Sequence, residues 1–413
     1  MENKKKVLLQ INSVANWGSI GKDAEGIGKA AIERGWDSYI AYGRWCNPSA
    51  SHLIRIGTDR DNCIHALCTR LFDNEGINSK KATKALVKKI KELNPDLIIL
   101  HNLHGYYLNY PILFDYLKES KSKVIYSIHD CWAFTGHCNH FELIGCDKWK
   151  TLCEHCPQLS QYPNSWFLDR SRRNFLLKKE KSCSLEDMLI VGVSDWVKHL
   201  AENSFLGKYR TFKIFNGINT ETFVYREGSK DKWPGKKIIM GVASRFGRFK
   251  GTKDYLALSK IISSDYLIVM VGHIDDDKIR NSLPDNIVNI ERTQNQIMLA
   301  ELYSRADVTI SLSYQETLGL TTIEGMACGT PGIVYNATAS PELITPETGL
   351  VVEPGNIDQV WNAIQKIVSE GKAKYSEACR KRAITEFDEL KQFSKYIDLY
   401  EENFVNMTCE KNK

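Results

Sequence analysis

Glycine and proline are scarce in this sequence, with 27 glycines and 11 prolines among 413 residues. Such a low content excludes collagen, mucin-like stalks and long disordered chains. Long hydrophobic runs are missing as well: residues 266–272 form one of the longest, whereas a membrane-spanning helix needs about 20 apolar residues. The apolar run behind the N-terminal lysines is too short for a signal peptide. We therefore expect a cytoplasmic globular protein.

The net charge is small, +5 over the whole chain, but it is unevenly distributed. Residues 1–215 contain 31 Lys and Arg against 23 Asp and Glu, whereas residues 216–413 contain 24 against 27. A basic first half and a slightly acidic second half are typical of halves with different partners, although charges scattered over solvated surfaces give the same counts. No motif indicates that a nucleic acid is one of these partners.

Short apolar runs alternate with helical patterns along the whole chain. The runs lie at residues 7–11, 38–42, 97–101, 124–128, 189–193, 238–243, 266–272, 308–312 and 332–335. Runs of this length flanked by helices are typical of buried parallel strands, so the sequence predicts an α/β fold with doubly wound sheets.

The alternation is interrupted once, by a polar stretch at residues 226–235. We therefore predict two α/β domains of similar size, residues 1–215 and 216–387. In residues 388–413 apolar side chains at a three–four spacing predict a last helix that buries one face and returns to the first domain. Because ligands of doubly wound sheets bind at the carboxyl ends of the strands, the residues that follow the strands are the candidates for function.

Two basic residues follow the predicted strand at residues 238–243. Arg245 and Lys250 belong to the segment Ser-Arg-Phe-Gly-Arg-Phe-Lys-Gly, which precedes a helical pattern. Cations in this position favour a multiply charged anion such as a diphosphate. A loop rich in Arg and Lys is also typical of solvated surface, so this segment alone does not decide the matter.

A second set of candidates follows the strand at residues 308–312. Glu316 lies in the loop, and Glu324 lies about one turn into the next helical pattern. First-turn N–H groups can hold phosphate while a carboxylate binds sugar hydroxyls; a helix acid stabilised only by the dipole is the alternative. The residues that present these N–H groups are Gly319, Leu320 and Thr321.

Together these motifs resemble a known family. Glu316 and Glu324 lie in Glu-x-Leu-Gly-Leu-x-x-x-Glu-Gly-Met-Ala-Cys-Gly-Thr-Pro, with Ser-Arg-x-x-x-x-Lys-Gly upstream and Ile-His-Asp around His129. This pattern is similar to that of the retaining family-4 glycosyltransferases of GT-B fold, in which two Rossmann-like domains face each other across a cleft. The resemblance covers most of the chain and implies a nucleotide diphosphate sugar as donor.

The resemblance also implies a role for each residue. Arg245 and Lys250 would bind the donor diphosphate and stabilise its charge as the glycosidic bond breaks. Glu316 would hold sugar hydroxyls and Glu324 the ribose hydroxyls, with the N–H groups near Leu320 and Thr321 completing the phosphate site. His129 would face the transferring sugar as a positioning group. Since preorganised donors can supply the stabilisation, no catalytic metal is expected.

The first glycine loop departs from the family, which often has adjacent glycines there. In Asn-Trp-Gly-Ser-Ile-Gly-Lys, Gly18 and Gly21 are separated by two residues. Both permit close approach of the backbone to the donor ahead of a helix, and the sequence does not say which of them touches it.

Five of the twelve cysteines lie in residues 131–156. Their closing Cys-x-x-Cys is a zinc-site spacing, and a cytoplasmic chain is not expected to keep disulfides, so we predict a structural zinc ion; unconnected buried thiols are the alternative. Residues 131–165 also resemble a cysteine-bearing insertion in a subset of these enzymes from bacterial surface-polysaccharide pathways. The predicted ligands are Cys138, Cys146, Cys153 and Cys156, with His137, His140 and His155 as substitutes.

Residues 166–179 interleave aromatic and basic side chains. Such a segment suits an anionic membrane surface or a lipid-linked diphosphate acceptor, and the alternative is an amphipathic helix with a solvated basic face. The cations concerned are Arg170, Arg172, Arg173, Lys178 and Lys179.

The sequence thus predicts a glycosyltransferase that acts on a glycan or lipid-linked acceptor in surface-polysaccharide synthesis, in the cytoplasm or peripherally on the inner face of the membrane. Another GT-B activity, such as a phosphorylase or a nucleotide-sugar epimerase, and a non-catalytic glycan-binding protein are the alternatives.

Overall fold

The computed structural model describes residues 5–227 and 232–406. Residues 228–231 of the predicted boundary stretch and residues 407–413 of the predicted C-terminal segment lie outside the described residues. Among the helices that are described, none is long and apolar enough to span a bilayer.

The chain forms two compact units. Unit 1 consists of two segments, the chain up to Ile214 and the chain from Gln392 onward. Unit 2 is Phe215–Lys391. The predicted domains ended at residues 215 and 387, so the observed divisions lie one and four residues away.

A seven-stranded parallel sheet forms the centre of unit 1, in the spatial order β3-β2-β1-β4-β5-β6-β7. Its strands are β1 (Val7–Asn12), β2 (Asp37–Tyr42), β3 (His52–Arg55), β4 (Leu97–Leu100), β5 (Lys123–Ile128), β6 (Met188–Gly192) and β7 (Thr211–Lys213). Strands β4 and β6 are buried along their whole length, which explains their unbroken apolar sequences.

Helices pack around this sheet. They are α1 (Gly18–Glu33), α2 (Asp59–Phe72), α3 (Lys80–Leu93), α4 (Tyr110–Glu119), α5 (Ser171–Ser182) and α6 (Asp195–Glu202). The predicted insertion at residues 131–165, all of it described, contains short 3-10 turns but no α-helix or strand.

Unit 2 is built on a six-stranded parallel sheet in the order β10-β9-β8-β11-β12-β13. Its strands are β8 (Lys237–Phe246), β9 (Tyr266–Ile274), β10 (Ile287–Ile290), β11 (Val308–Ser311), β12 (Gly332–Tyr335) and β13 (Gly349–Val352). Its helices are α7 (Thr252–Ser259), α8 (Asp277–Arg280), α9 (Gln296–Arg305), α10 (Leu320–Ala327), α11 (Ile357–Glu370) and α12 (Ala373–Glu386).

The last helix, α13 (Glu389–Tyr400), starts in unit 2 and continues into unit 1. Its apolar face packs against α1, where the ring of Phe393 lies so close that a Cβ added at Gly26 would be 2.1 Å from it. The Tyr396 hydroxyl shares a hydrogen bond of 2.7 Å with the Ser127 hydroxyl at the end of β5. This helix therefore covers one face of the unit 1 sheet.

The predicted parallel α/β fold is confirmed in both units. In each sheet the strand order reverses direction once, between β1 and β4 in unit 1 and between β8 and β11 in unit 2. Ligands of doubly wound sheets bind at the carboxyl ends of the strands beside such a point. The residues that follow these strands therefore define the candidate site.

Candidate active site

Unit 2 brings its two predicted motifs together at the carboxyl ends of β8 and β11. The short turn Arg248–Lys250 is fastened to the end of β11, because the Tyr314 N–H donates to the Phe249 carbonyl at 2.9 Å. Gly251 has a φ of +66°, and a Cβ added there would lie 2.1 Å from the Leu312 carbonyl oxygen. Glycine is therefore required for the approach that places Lys250 beside the second motif.

Lys250 and Glu316 form an ion pair, in which the ammonium donates to the carboxylate Oε1. Both side chains are half-buried. The backbone of Glu316 is fixed as well, since its N–H donates to the Thr338 hydroxyl at 2.9 Å. A cation and a carboxylate are thus held at defined positions on one edge of the sheet, as a pair that the sequence did not predict.

Arg245 has a different setting from the predicted one. Strand β8 does not end at residue 243: a bulge between Val242 and Arg245 shifts the register, and the strand continues to Phe246. Arg245 therefore lies on the strand, not in the loop, with its guanidinium exposed and its Nε donating to Asp275 at 2.7 Å. The structure shows Arg245 paired with Asp275 and Lys250 paired with Glu316.

Helix α10 starts at Leu320, and Gly319 caps it with a φ of +105°. Since residues with a side chain rarely adopt this conformation, the glycine fixes where the first-turn N–H groups begin. Glu324 lies on the second turn, where its carboxylate accepts a hydrogen bond of 3.1 Å from the Tyr303 hydroxyl. Tyr303 is buried on α9. The sequence did not predict its bond to Glu324, because an aromatic residue in a helical pattern is usually part of the core.

In unit 1, His129 follows β5 and is buried in a chain of hydrogen bonds. Its Nε2 lies 3.1 Å from His101 Nδ1, and His101 Nε2 lies 3.0 Å from Gln10 Oε1. Gln10 donates its amide to the Ala24 carbonyl, so its oxygen must accept from His101. His101 Nδ1 is then an acceptor, and we assign the His129 proton to Nε2. Asp23 lies 3.8 Å from the other ring nitrogen.

Burial lowers the pKa of His129 to about 4, against an opposing effect of Asp130. The pKa of His101 is also lowered, first by burial and then by His129. Both rings are therefore neutral near pH 7. Since its proton is donated to His101, a neutral His129 can accept one hydrogen bond from a sugar hydroxyl at Nδ1, which suits a positioning group.

The low pKa of His129 predicts a dependence of stability on pH. The unfolded chain binds this proton near pH 6.5 and the folded chain only near pH 4, so the free energy of unfolding should fall as pH drops through that window. Protonation of His129 should lower the free energy of unfolding by on the order of 3 kcal/mol across this window. Urea unfolding at a series of pH values measures it.

In the His129→Asn variant the slope of stability against pH between 6.5 and 4 should become smaller. His199→Asn, at an exposed histidine, is the control and should keep the slope of the parent. An unchanged slope in His129→Asn would show that His129 is not the buried neutral group.

A third histidine, His104, lies near His101 and His129 and was not predicted. Its Nε2 is 2.8 Å from Asp130 Oδ2, and its Nδ1 is 2.9 Å from the Tyr162 hydroxyl. Burial is the largest single effect on the pKa of Asp130 and would raise it, but His104, His140 and the Trp132 N–H together outweigh burial and lower that pKa to about 2. His101, His104, His129 and Asp130 all line one cavity of about 170 Å³. His129 and Asp130 belong to the Ile-His-Asp motif, whereas the sequence signal for His101 and His104 is only their position shortly after β4.

The first glycine loop opens α1. Gly18 is exposed at the first position of the helix, and Gly21 is buried in the first turn, where its carbonyl accepts the Asn16 N–H at 3.0 Å. Gly18 therefore offers accessible backbone, whereas Gly21 shapes the loop.

The four predicted zinc ligands line one cavity of about 300 Å³ in unit 1. The Cys138 thiol hydrogen-bonds Cys156, and this bond lowers the pKa of Cys156 to about 7. Burial raises the pKa of Cys153 to about 11. His137 lines the same cavity: its Nδ1 is 2.6 Å from Asp73, and its buried Nε2 has no hydrogen-bond partner among the described residues.

These residues are of the types that bind zinc, since its usual ligands are thiolates and imidazoles that are held by a carboxylate. Their arrangement is not that of a formed site: across residues 5–227 and 232–406, no three His, Cys, Asp or Glu side chains are placed so as to hold a metal ion. Binding would therefore require the side chains around the cavity to turn toward one another.

The prediction that Lys178 faces a membrane is wrong. Lys178 is buried on the inner side of α5, where its ammonium donates to the carbonyls of Trp132 and Thr135 and lies 3.5 Å from the Trp132 ring centre. Of the other cations in this segment, Arg172 pairs with Glu154 at 2.7 Å. The remaining ones are Arg170, which is half-buried, and Arg173 and Lys179, which are exposed.

Residues 226–386, most of unit 2, match the family described as glycosyl transferases group 1. The chain is also 23% identical over 371 residues to WcaC of Escherichia coli (strain K12), named as a colanic acid biosynthesis glycosyl transferase. That match covers 86% of this chain and 89% of WcaC. Residues 226–386 therefore carry a glycosyl transferases group 1 domain, and the chain is a glycosyltransferase.

This glycosyltransferase shares its fold with solved structures. Sucrose-phosphate synthase from Thermosynechococcus elongatus superposes with a TM-score of 0.70 at 18% identity, over 97% of this chain and 100% of that one. Alr3699/HepE of Anabaena, solved in complex with UDP, superposes with a TM-score of 0.65 at 14% identity, over 96% and 100%. The fold is GT-B, as predicted.

Proposed function

We propose that this glycosyltransferase moves a sugar, with retention of anomeric configuration, from a nucleotide diphosphate sugar to a glycan or lipid-linked acceptor in bacterial surface-polysaccharide synthesis. The observation that carries the proposal is the Lys250–Glu316 pair beside the glycine-capped start of α10. The name of WcaC supports the polysaccharide pathway, and the UDP complex of HepE supports a nucleotide donor.

The geometry of unit 2 suits departure of a diphosphate. The Lys250 ammonium and the first-turn N–H groups of α10 provide fixed positive charge where the leaving group becomes negative. Glu316 accepts hydrogen bonds from hydroxyls of the transferred sugar. Glu324, oriented by Tyr303, accepts hydrogen bonds from the ribose hydroxyls. Arg245 is proposed as a second cation for the diphosphate, reached from the end of β8 when it exchanges Asp275 for phosphate.

In the proposed reaction the bond between the anomeric carbon and the phosphate oxygen breaks, and a bond to the acceptor oxygen forms on the same face. The acceptor hydroxyl proton passes to the leaving phosphate oxygen. No side chain then has to act as a base, so we assign neutral His129 a positioning role only.

The direct test is a panel of nucleotide sugars. We expect one nucleotide sugar to release its nucleoside diphosphate in the presence of the enzyme, and faster with acceptor. Turnover that needs inorganic phosphate and no nucleotide sugar would favour the phosphorylase alternative, and interconversion of the free nucleotide sugar would favour the epimerase. Glycan binding without any release would indicate the non-catalytic protein.

We also propose that the cysteine insertion binds one structural zinc ion through Cys138, Cys146, Cys153 and Cys156. Their convergence on one cavity supports this. Lys178 supports it too: burial lowers the pKa of its ammonium to about 7, and Cys153 is the main group that opposes this effect. Four thiolates around Zn²⁺ leave two negative charges, and a buried cation beside them would offset part of that charge.

Peripheral association with an anionic membrane completes the proposal. The basic first half of the sequence, with its exposed Arg173 and Lys179 on α5, supports it. A lipid-linked acceptor would reside in such a membrane.

A further inference from the structure

Helix α2 presents large apolar side chains to solvent, while the side chains that it buries against the protein are polar. Ile64 and Leu67 are 51% and 49% exposed, whereas the residues that the helix buries are His65 and Thr69. A helix on the surface of a globular protein normally has the opposite arrangement, with its apolar stripe toward the core. The exposed face of α2 is therefore the one whose burial against a partner would remove the most apolar surface from water.

A buried polar network holds α2 in this orientation. His65 Nδ1 is 2.8 Å from the Ser79 hydroxyl, and the Thr69 hydroxyl donates to Glu75 at 3.0 Å. Glu75 in turn accepts the Gly105 N–H at 2.7 Å. Turning the helix to bury Ile64 and Leu67 would leave these buried polar groups unsatisfied, which is costly.

A neighbouring loop extends the apolar surface. The Trp166 N–H donates to the Arg70 carbonyl at 2.7 Å, and the Arg170 N–H donates to the Asp73 carboxylate at 2.7 Å, so the loop is tied to the end of α2. Trp166 and Phe167 are 53% and 76% exposed. We name this surface the α2 face and define it as Ile64, Leu67, Phe72, Trp166, Phe167 and Leu168.

Cations are interleaved with the aromatic rings of the α2 face. The Arg70 guanidinium lies 5.8 Å from the Trp166 ring centre, and the Arg170 guanidinium lies 5.8 Å from that of Phe72. The acidic residues of α2 are at its other end, where Asp59 pairs with Arg55 and Asp61 caps the helix. The end that carries the aromatic residues is therefore the positive one.

We infer that the α2 face docks on an anionic lipid bilayer. The inference deepens, and rests on, the proposed membrane-associated function by naming the surface and the partner. Exposed Trp and Phe side chains with adjacent arginines match the boundary between headgroups and acyl chains, where apolar side chains enter and cations meet lipid phosphate. The polar network fixes α2, so the surface is formed before contact and little ordering opposes binding.

Sedimentation of the full chain with vesicles tests the inference. The parent should bind vesicles of equal parts phosphatidylglycerol and phosphatidylcholine, bind phosphatidylcholine alone more weakly, and lose binding as salt is raised. The double variant Ile64→Ser/Leu67→Ser should bind anionic vesicles about tenfold more weakly. The control Ile32→Ser/Ile297→Ser, at two exposed helical isoleucines outside the face, should bind like the parent. Arg70→Glu/Arg170→Glu should abolish the preference for anionic lipid.

The inference is overturned if the parent does not bind anionic vesicles, or if the α2 variant and the control bind equally. It is also overturned if the parent forms dimers without lipid that the α2 variant cannot form, because a second copy then covers the face. Release of nucleoside diphosphate in vesicle-free buffer tests the proposed activity separately. The Ile64→Ser/Leu67→Ser variant and its control should retain it, so failure of docking is distinguishable from failure of the proposed function.

Discussion

The variant Lys250→Ala is expected to transfer sugar about 100-fold more slowly than the parent, or worse, at saturating donor. The ammonium donates to Glu316 in the loop that follows β11, and in the proposed mechanism it meets the charge that develops on the departing diphosphate. Its removal should therefore lower kcat, while donor binding weakens less. Release of nucleoside diphosphate, measured at a series of donor concentrations, separates the two effects.

The matched control is Lys253→Ala, an exposed lysine three residues further along, which should leave kcat unchanged. Glu316→Ala should also slow transfer strongly, and the double variant should lose less than the product of the two single losses, because the pair acts as a unit. Near-normal kcat in a folded Lys250→Ala variant would remove Lys250 from the proposed mechanism.

The sequence could predict that Lys250 and Glu316 both follow strands of one sheet, at whose carboxyl edge ligands bind. It could not predict the ion pair between them, because that contact depends on the close approach of Gly251 to Leu312. The position of Arg245 could not be predicted either, because it depends on a bulge in β8 that leaves no clear mark in an apolar run. The same limit applies to Tyr303: its bond to Glu324 joins two helices whose packing the sequence does not specify.

The strands that were not predicted lie at or near the sheet edges. β3 and β7 are the outermost strands of unit 1, and β10 and β13 are the outermost strands of unit 2. An edge strand is covered on fewer sides, so it needs fewer apolar residues than the central runs that were recognised. The burial of Lys178 could not be predicted from helical periodicity either. Its hydrogen-bond partners, the carbonyls of Trp132 and Thr135, lie in an irregular segment that is remote in sequence.

Metal analysis of the protein purified without added zinc should give about one equivalent per chain, and Cys153→Ala should lose it. The loss should also lower the thermal midpoint by several degrees, because metal binding in a segment without helices or strands contributes directly to its stability. Turnover should persist in a chelator that leaves the site loaded, since four thiolates leave no open coordination position for substrate.

The matched control for this prediction is Cys131→Ala, since Cys131 belongs to the same segment but packs into the core of unit 1 instead of lining the cavity. It should keep the metal. Thiol alkylation gives an independent readout: zinc should protect all four cysteines, whereas in a metal-free chain Cys156 should react first, because its pKa is about 7 and Cys153 is held near 11. A parent protein without metal that shows this order of reactivity would mean that the cavity holds reduced thiols only, and that the segment folds through its packing into the core of unit 1 without a metal ion.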